Sequence, residues 1–271
     1  MKIFISCGET SGDRYASELV IALKKHDSDI AIFANGGSYL AEQGAIINSH
    51  TTMNSTVGFI EPLRHIGFFL GVMSKTKKMI LKQKIDVVII IDHQGFNIPL
   101  AKWCKKNNIP VISLFAPQFW MWGNVKRGKQ FVKYCDLIAT VFSKEHDFYS
   151  KIAPNKTMFI GHPLVHELPD KIYSERTVLA LFPGSRRQEI NHLLPLMISA
   201  ATKIKKQYPN LQIKLALSSE EFRNEIESQV KDCGIEIDII TNSRELISTS
   251  TCSIVSSGTV TLEHALIGTP C

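Results

Sequence analysis

The chain has 271 residues, 44% hydrophobic and 21% charged, a length and composition that exclude a single small domain and a disordered chain and suit two α/β domains. Thirty-one Lys and Arg against 25 Asp and Glu leave a net charge of +6. That suits an anionic substrate or membrane surface but falls short of the dense basic stripe of a nucleic-acid binder, so no nucleic-acid partner is expected.

Apolar runs alternate with helical patterns along the chain. Residues 2–7 predict a buried strand, and Ala16, Leu19, Val20 and Leu23 then recur at helical spacing. A second strand is expected at 30–34. Residues 85–91 read Ile-Asp-Val-Val-Ile-Ile-Ile, apolar on both faces as in a parallel sheet covered on two sides. Residues 110–115 repeat that pattern, and 137–140 and 158–160 are shorter versions. A second series follows Gly161-His162-Pro163, with strands expected at 177–182, 212–217, 235–240 and 253–255. Such alternation predicts α/β architecture with parallel sheets and right-handed crossovers. The expected division is 1–168 and 169–271, two Rossmann-like domains facing a cleft, with ligands beyond the carboxyl ends of the strands. With only four strand candidates, the second domain reads as incomplete.

Six cysteines without a C-x-x-C pair argue against a zinc site or a disulfide framework and fit a reducing cytosol. The short apolar start, broken at once by Gly8 and Glu9, does not read as a signal peptide, and none is expected. No stretch approaches the ~20 apolar residues of a membrane span.

Six segments carry candidate chemistry. Gly8-Glu9-Thr10-Ser11-Gly12-Asp13 joins the first strand to the first helix, where free N–H groups face a ligand. An ordinary turn capped by Ser11 or Asp13 is an equal reading, and the segment lacks the dinucleotide fingerprint. Asp92, in Ile91-Asp92-His93-Gln94-Gly95-Phe96-Asn97, stands where the most apolar strand opens onto the expected cleft. It is placed to take a proton from a hydroxyl or, more commonly for such a residue, to cap the next helix. His93 is a second candidate base, set against a partly exposed loop histidine. The aromatic loop 115–122 suits either a sugar-binding wall or a buried plug.

Phe182-Pro183-Gly184-Ser185-Arg186 opens a helix, and Ser257-Gly258-Thr259 opens another with Glu263 one turn inside. Backbone donors, helix dipole and an arginine fork make a diphosphate site, and two such loops favour a nucleotide diphosphate over mere capping. Residues 57–73 place Phe59, Ile60, Leu63, Ile66, Phe68 and Phe69 beside Lys75, Lys77 and Lys78. Alone, this segment reads better as a buried helix with a solvated end than as an interfacial surface.

The ordered set Gly8–Asp13, Val57–Leu63, Ile91–Asn97, Ala116–Trp122, Phe159–Pro163, Leu181–Glu189 and Ser257–Glu263 resembles the lipid-A-disaccharide synthase family, glycosyltransferase family 19 of the GT-B architecture. Each stretch is weak alone, but their order along the whole chain is specific. The resemblance implies an inverting transfer of 2,3-diacylglucosamine from its UDP donor to 2,3-diacylglucosamine 1-phosphate, giving lipid A disaccharide 1-phosphate and UDP. It implies Asp92 as base and Arg186 for the departing diphosphate. Gly184, Ser185, Ser257, Gly258, Thr259 and Glu263 would hold the nucleotide, and Glu9 and Ser11 would shape the sugar site. It implies no cofactor and no metal. It raises residues 57–73 to an acyl-chain and membrane patch on a cytoplasmic enzyme peripheral to the inner membrane. The family commonly has an acid where this chain has Gly95, an arginine where it has Gly123 and an aspartate where it has His166. Its chains also continue beyond residue 271, which makes an inactive or partial fragment one alternative. Another UDP-sugar enzyme of the same fold, such as an epimerase, is a second.

Overall fold

The computed structural model describes residues 1–52, 66–166, 168–172, 177–231 and 233–271. They form two compact units, Met1–Pro163 and Leu164–Cys271, divided five residues ahead of the expected boundary.

In the first unit β1 (Lys2–Ser6), β2 (Ala31–Gly36), β3 (Ile46–His50), β4 (Val87–Ile91), β5 (Val111–Leu114), β6 (Leu137–Thr140) and β7 (Thr157–Phe159) make one sheet, ordered β3-β2-β1-β4-β5-β6-β7. Every pairing is parallel. The linking helices are α1 (Thr10–His26), α2 (Ser38–Glu42), α3 (Ile66–Gln83), α4 (Gln94–Lys106), α5 (Val125–Phe131) and α6 (Ser143–Ile152). Strand side chains alternate between two cores. Phe4, Val88 and Ile90 pack with Leu100 and Ile138 on one face. Ile3, Ile5, Ile89 and Ile91 pack with Ala16 and Val20 on the other. Burial on both faces is why β1 and β4 are apolar throughout.

β3 is a strand that periodicity does not predict. It lies at the sheet edge, Ile46 is exposed, and Asn48 is buried through a hydrogen bond to Asn35 rather than through apolar contact. An edge strand held by polar bonds lacks the two-sided apolar signature.

The second unit holds β8 (Val178–Phe182), β9 (Gln212–Ala216), β10 (Asp238–Ile240) and β11 (Cys252–Val255), all parallel and ordered β10-β9-β8-β11. Its helices are α7 (Arg187–Gln207), α8 (Arg223–Lys231), α9 (Ser243–Thr249) and α10 (Thr259–Ile267). β10 is shorter than expected: Ile235 and Ile237 pack against the core ahead of it, outside the ladder.

In each unit the chain leaves its first strand one way and later returns to that strand's other side. The order reverses between β1 and β4 in the first unit and between β8 and β11 in the second. In open parallel sheets the crevice at such a switch point, beyond the carboxyl ends of the strands, is where ligands bind.

Of the expected apolar patch, Phe59, Ile60 and Leu63 lie outside the described residues. Ile66 opens α3. Phe68 is exposed, as is Leu70. Phe69 turns inward, packing on the core and facing His93 and Phe96 with ring centroids 5.5 and 6.4 Å away, so it does not belong to an outer surface. Lys75 is committed to the Asn48 carbonyl, and Lys77 lies over the Trp103 ring.

Candidate active site

The β1 and β4 loops meet closely. A Cβ on Gly8 would stand 2.2 Å from His93 Nδ1, so only glycine admits this approach. Asp92 and His93 both adopt left-handed backbone, each with φ 46°. Two consecutive non-glycine residues in that region cost about 1–2 kcal/mol apiece and mark a turn that its surroundings must hold.

Asp92 does not cap α4, because the N-cap position belongs to His93. Its carboxylate accepts from the His93 N–H, and its pKa is raised, first by the surrounding protein and then by the Glu9 charge. The side chain nonetheless opens to solvent at the lip of the turn. It is therefore a carboxylate of raised basicity that a substrate hydroxyl can reach. His93 is a partly exposed loop histidine whose ring packs inward. Its ring stacks on Phe96 at 5.8 Å, its Nδ1 is buried without a hydrogen-bond partner, and burial lowers its pKa. It serves as packing under the turn.

Neither Ser11 nor Asp13 caps α1, whose N-cap is Glu9, with no side-chain capping bond. Asp13 instead reaches to the next loop and accepts from Gly37 N at 2.7 Å and Tyr39 N at 3.0 Å, so it caps α2. Burial raises its pKa. Ser11 lies in the first turn of α1, half-buried.

The aromatic loop after β5 divides. Phe115, at φ 56°, stacks on Tyr15 at 4.8 Å, and His162 meets both rings edge-on. Phe119 is buried, whereas Trp122 is 81% exposed. Glu145, fully buried on α6, pins this rim by accepting from Ala116 N at 2.8 Å and Val141 N at 2.7 Å. Buried and exposed aromatic side chains both occur, in different residues of one loop.

At the second switch point Gly184 adopts φ 115° with the Glu189 side chain packed against it. Glu189 accepts from Ser185 N at 3.1 Å and from Arg186 Nη1 at 2.8 Å. One carboxylate thus gathers the backbone donor and the guanidinium expected to face a diphosphate. The neighbouring loop is anchored by Ser256 N to the Phe182 carbonyl at 2.9 Å. Ser257 and Thr259 are exposed at the start of α10, where no side chain caps the helix. Glu263 is nearly buried and lies 3.3 Å from Arg244 Nε on α9. Among the described residues, no group of three or more His, Cys, Asp or Glu side chains is placed to hold a metal ion.

The expected residues thus fall into two sets. Asp92, Glu9 and Ser11 gather at the β1/β4 switch point. Gly184, Ser185, Arg186, Ser257, Gly258, Thr259 and Glu263 gather at the β8/β11 switch point. Sequence reasoning missed Asn97, Glu145, Glu189 and Arg244. Asn97 and Glu189 stand inside the quoted motifs, close to Asp92 and Arg186. Glu145 and Arg244 carry no local signal.

Solved structures that share this fold include UDP- and UDP-sugar-bound proteins. An S. aureus MnaA–UDP co-structure superposes with a TM-score of 0.68 at 12% identity, over 99% of this chain and 77% of that one. UDP-GlcNAc 2-epimerase from Neisseria meningitidis bound to UDP-GlcNAc superposes at 0.67 with 14% identity, over 100% and 81%. Such identities speak for the fold alone. In sequence, lipid-A-disaccharide synthase of Gloeothece citriformis is 31% identical over all of this chain and 75% of its own length. That of Trichlorobacter lovleyi is 33% identical over 99% of this chain and 73% of its own. The family model for lipid-A-disaccharide synthetase matches residues 3–271, and the chain belongs to that family of glycosyltransferases.

Proposed function

We propose that the chain transfers 2,3-diacylglucosamine from its UDP donor to the 6-hydroxyl of 2,3-diacylglucosamine 1-phosphate with inversion. The observation that carries this reading is Asp92: a solvent-reaching carboxylate of raised pKa, at the switch point, beside Glu9. Asp92 takes the proton of the acceptor hydroxyl as its oxygen attacks the anomeric carbon. The bond from that carbon to the diphosphate breaks, and its electron pair leaves with UDP. Arg186 and the N-termini of α7 and α10 stabilise the charge developing on that leaving group. Glu263, Ser257, Gly258 and Thr259 hold the nucleotide, and Glu9 and Ser11 line the sugar site. The reading includes peripheral contact with the cytoplasmic face of the inner membrane. Its support is the pair Phe68 and Leu70, left exposed on α3, a helix too polar to cross a bilayer.

The test is UDP release in detergent, from UDP-diacylglucosamine with and without diacylglucosamine 1-phosphate. Acceptor-dependent release is expected. Turnover of lipid-free UDP-N-acetylglucosamine without an acceptor would place the chain with the epimerases instead.

A further inference from the structure

Asn97 is completely buried at the first turn of α4, and its amide is spent on the strand ends that flank it. Its Nδ2 donates to the carbonyls of Asp92 at 2.8 Å, Ile91 at 3.1 Å and Ser6 at 3.1 Å. Its Oδ1 accepts from Ser6 Oγ at 2.7 Å. Its backbone N–H bonds the His93 carbonyl at 2.9 Å. The β1–β4 ladder ends at Ser6 opposite Ile90. One side chain therefore takes over where the ladder stops, closing the left-handed turn from inside and tying it to β1. β1 leads directly into Gly8 and Glu9.

We infer that Asn97, with Ser6, is the positioning clamp of the catalytic base: it fixes the Asp92 turn in its strained conformation and sets its spacing from Glu9. Three facts favour this over a merely structural amide. The bonds converge on the two residues on either side of the Ile91–Asp92 link rather than on a helix terminus. The turn they hold contains two consecutive left-handed side-chain-bearing residues, a conformation that relaxes when unsupported. The second anchor is the strand that leads into the loop carrying the other carboxylate. Near-attack geometry is demanding, and a misplacement of about 1 Å costs on the order of 10²-fold in rate. The clamp also preserves the environment that raises the Asp92 pKa, since loosening it admits water and lets Glu9 move away.

The inference rests on Asp92 being the base, so Asp92→Ala is measured alongside. Steady-state transfer in detergent is measured for wild type, Asn97→Ala and Ser6→Ala across pH, together with UDP affinity by calorimetry. Asn97→Ala is expected to lower kcat by about 10²-fold, with KM for both substrates and UDP affinity little changed. The acid limb of its kcat profile is expected at lower pH than in wild type. Ser6→Ala leaves the amide donors in place and is expected to fall between the two in both readouts. It carries the test if Asn97→Ala folds poorly. A loss of kcat with an unmoved acid limb in both variants would reduce Asn97 to a structural residue and overturn the proposal. If Asp92→Ala is inactive while Asn97→Ala matches wild type in kcat and profile, the clamp alone fails. If Asp92→Ala retains turnover, the base assignment fails and the clamp falls with it.

Discussion

At the β1/β4 switch point the loops are joined by buried side chains: Asn97 spans from β1 to the Asp92 turn, and Asp13 spans from α1 to the start of α2. At the β8/β11 switch point the joining is done nearer the surface. Glu189 holds Ser185 and Arg186 with its carboxylate partly exposed, and the neighbouring loop presents free helix N–H groups with no side-chain cap. The difference matches the two tasks we propose for these sites. A general base works only in one orientation, so its turn is fixed from within. A flexible anion is bound by whatever donors converge on it, so a loop carried by glycine and an arginine can adjust. Buried ties cost dearly to cut, whereas exposed ones cost little.

The largest expected effect follows from the fixed side. Asp92→Ala should lower transfer by about 10²- to 10⁴-fold, the range of general base catalysis, while UDP binding by calorimetry stays at the wild-type level. Equal loss of both would mean that Asp92 supports the fold rather than the proton transfer. On the adjustable side, Arg186→Ala removes a charged contact worth roughly 1.5–3 kcal/mol, about ten- to a hundredfold in donor binding or transfer. Kinetics indistinguishable from wild type would take Arg186 out of the site.

Much of this contrast is legible in the sequence, and the remainder has a physical reason for being hidden. Both switch-point loops stand out because parallel strands are apolar and end in abrupt polar turns, as at Ile91-Asp92 and Phe182-Pro183-Gly184. The four strands of the second unit were predicted for the same reason. β3 was not, because an edge strand buried through Asn48 has no apolar period. The alternative that Ser11 or Asp13 caps α1 fails because helix capping is read locally, while Asp13 serves a helix that starts 25 residues downstream of it. Phe69 reads as part of a continuous apolar run, and only the packing of α3 against His93 turns it inward. Asn97 and Glu189 lie in plain view within motifs, but a hydrogen bond from a helix back to a strand end, as for Asn97, or to the loop just ahead of the helix, as for Glu189, leaves no periodic trace.

A stability measurement sharpens the same comparison. Asp13→Ala leaves the N–H groups of Gly37 and Tyr39 without their acceptor in a buried site. That should cost roughly 1–3 kcal/mol and lower Tm by several degrees. Glu189→Ala removes an equally well-formed pair of bonds from a partly exposed site, where such pairs contribute about 0–1 kcal/mol. Its Tm should stay within about 3 °C of wild type. If the two variants melt together, the contrast between buried and exposed joints is wrong.

The smallest effect concerns the charge beside the base. Asp92 must be ionised to accept a proton, so kcat rises with pH through its pKa. Burial, and after it the Glu9 carboxylate, holds that pKa above the usual carboxylate value. Both causes disfavour the ionised form, so the acid limb of the profile lies at higher pH than for an ordinary aspartate. Glu9→Gln removes the lesser cause and keeps the greater. The limb should therefore move to lower pH without reaching the position of a solvated aspartate. Glu263→Gln also removes a carboxylate, but from the β8/β11 site beside Arg244, and should leave the limb where it is. A limb that stays put in Glu9→Gln, or that moves equally in both variants, would show that the two carboxylates at the β1/β4 switch point do not act on one another.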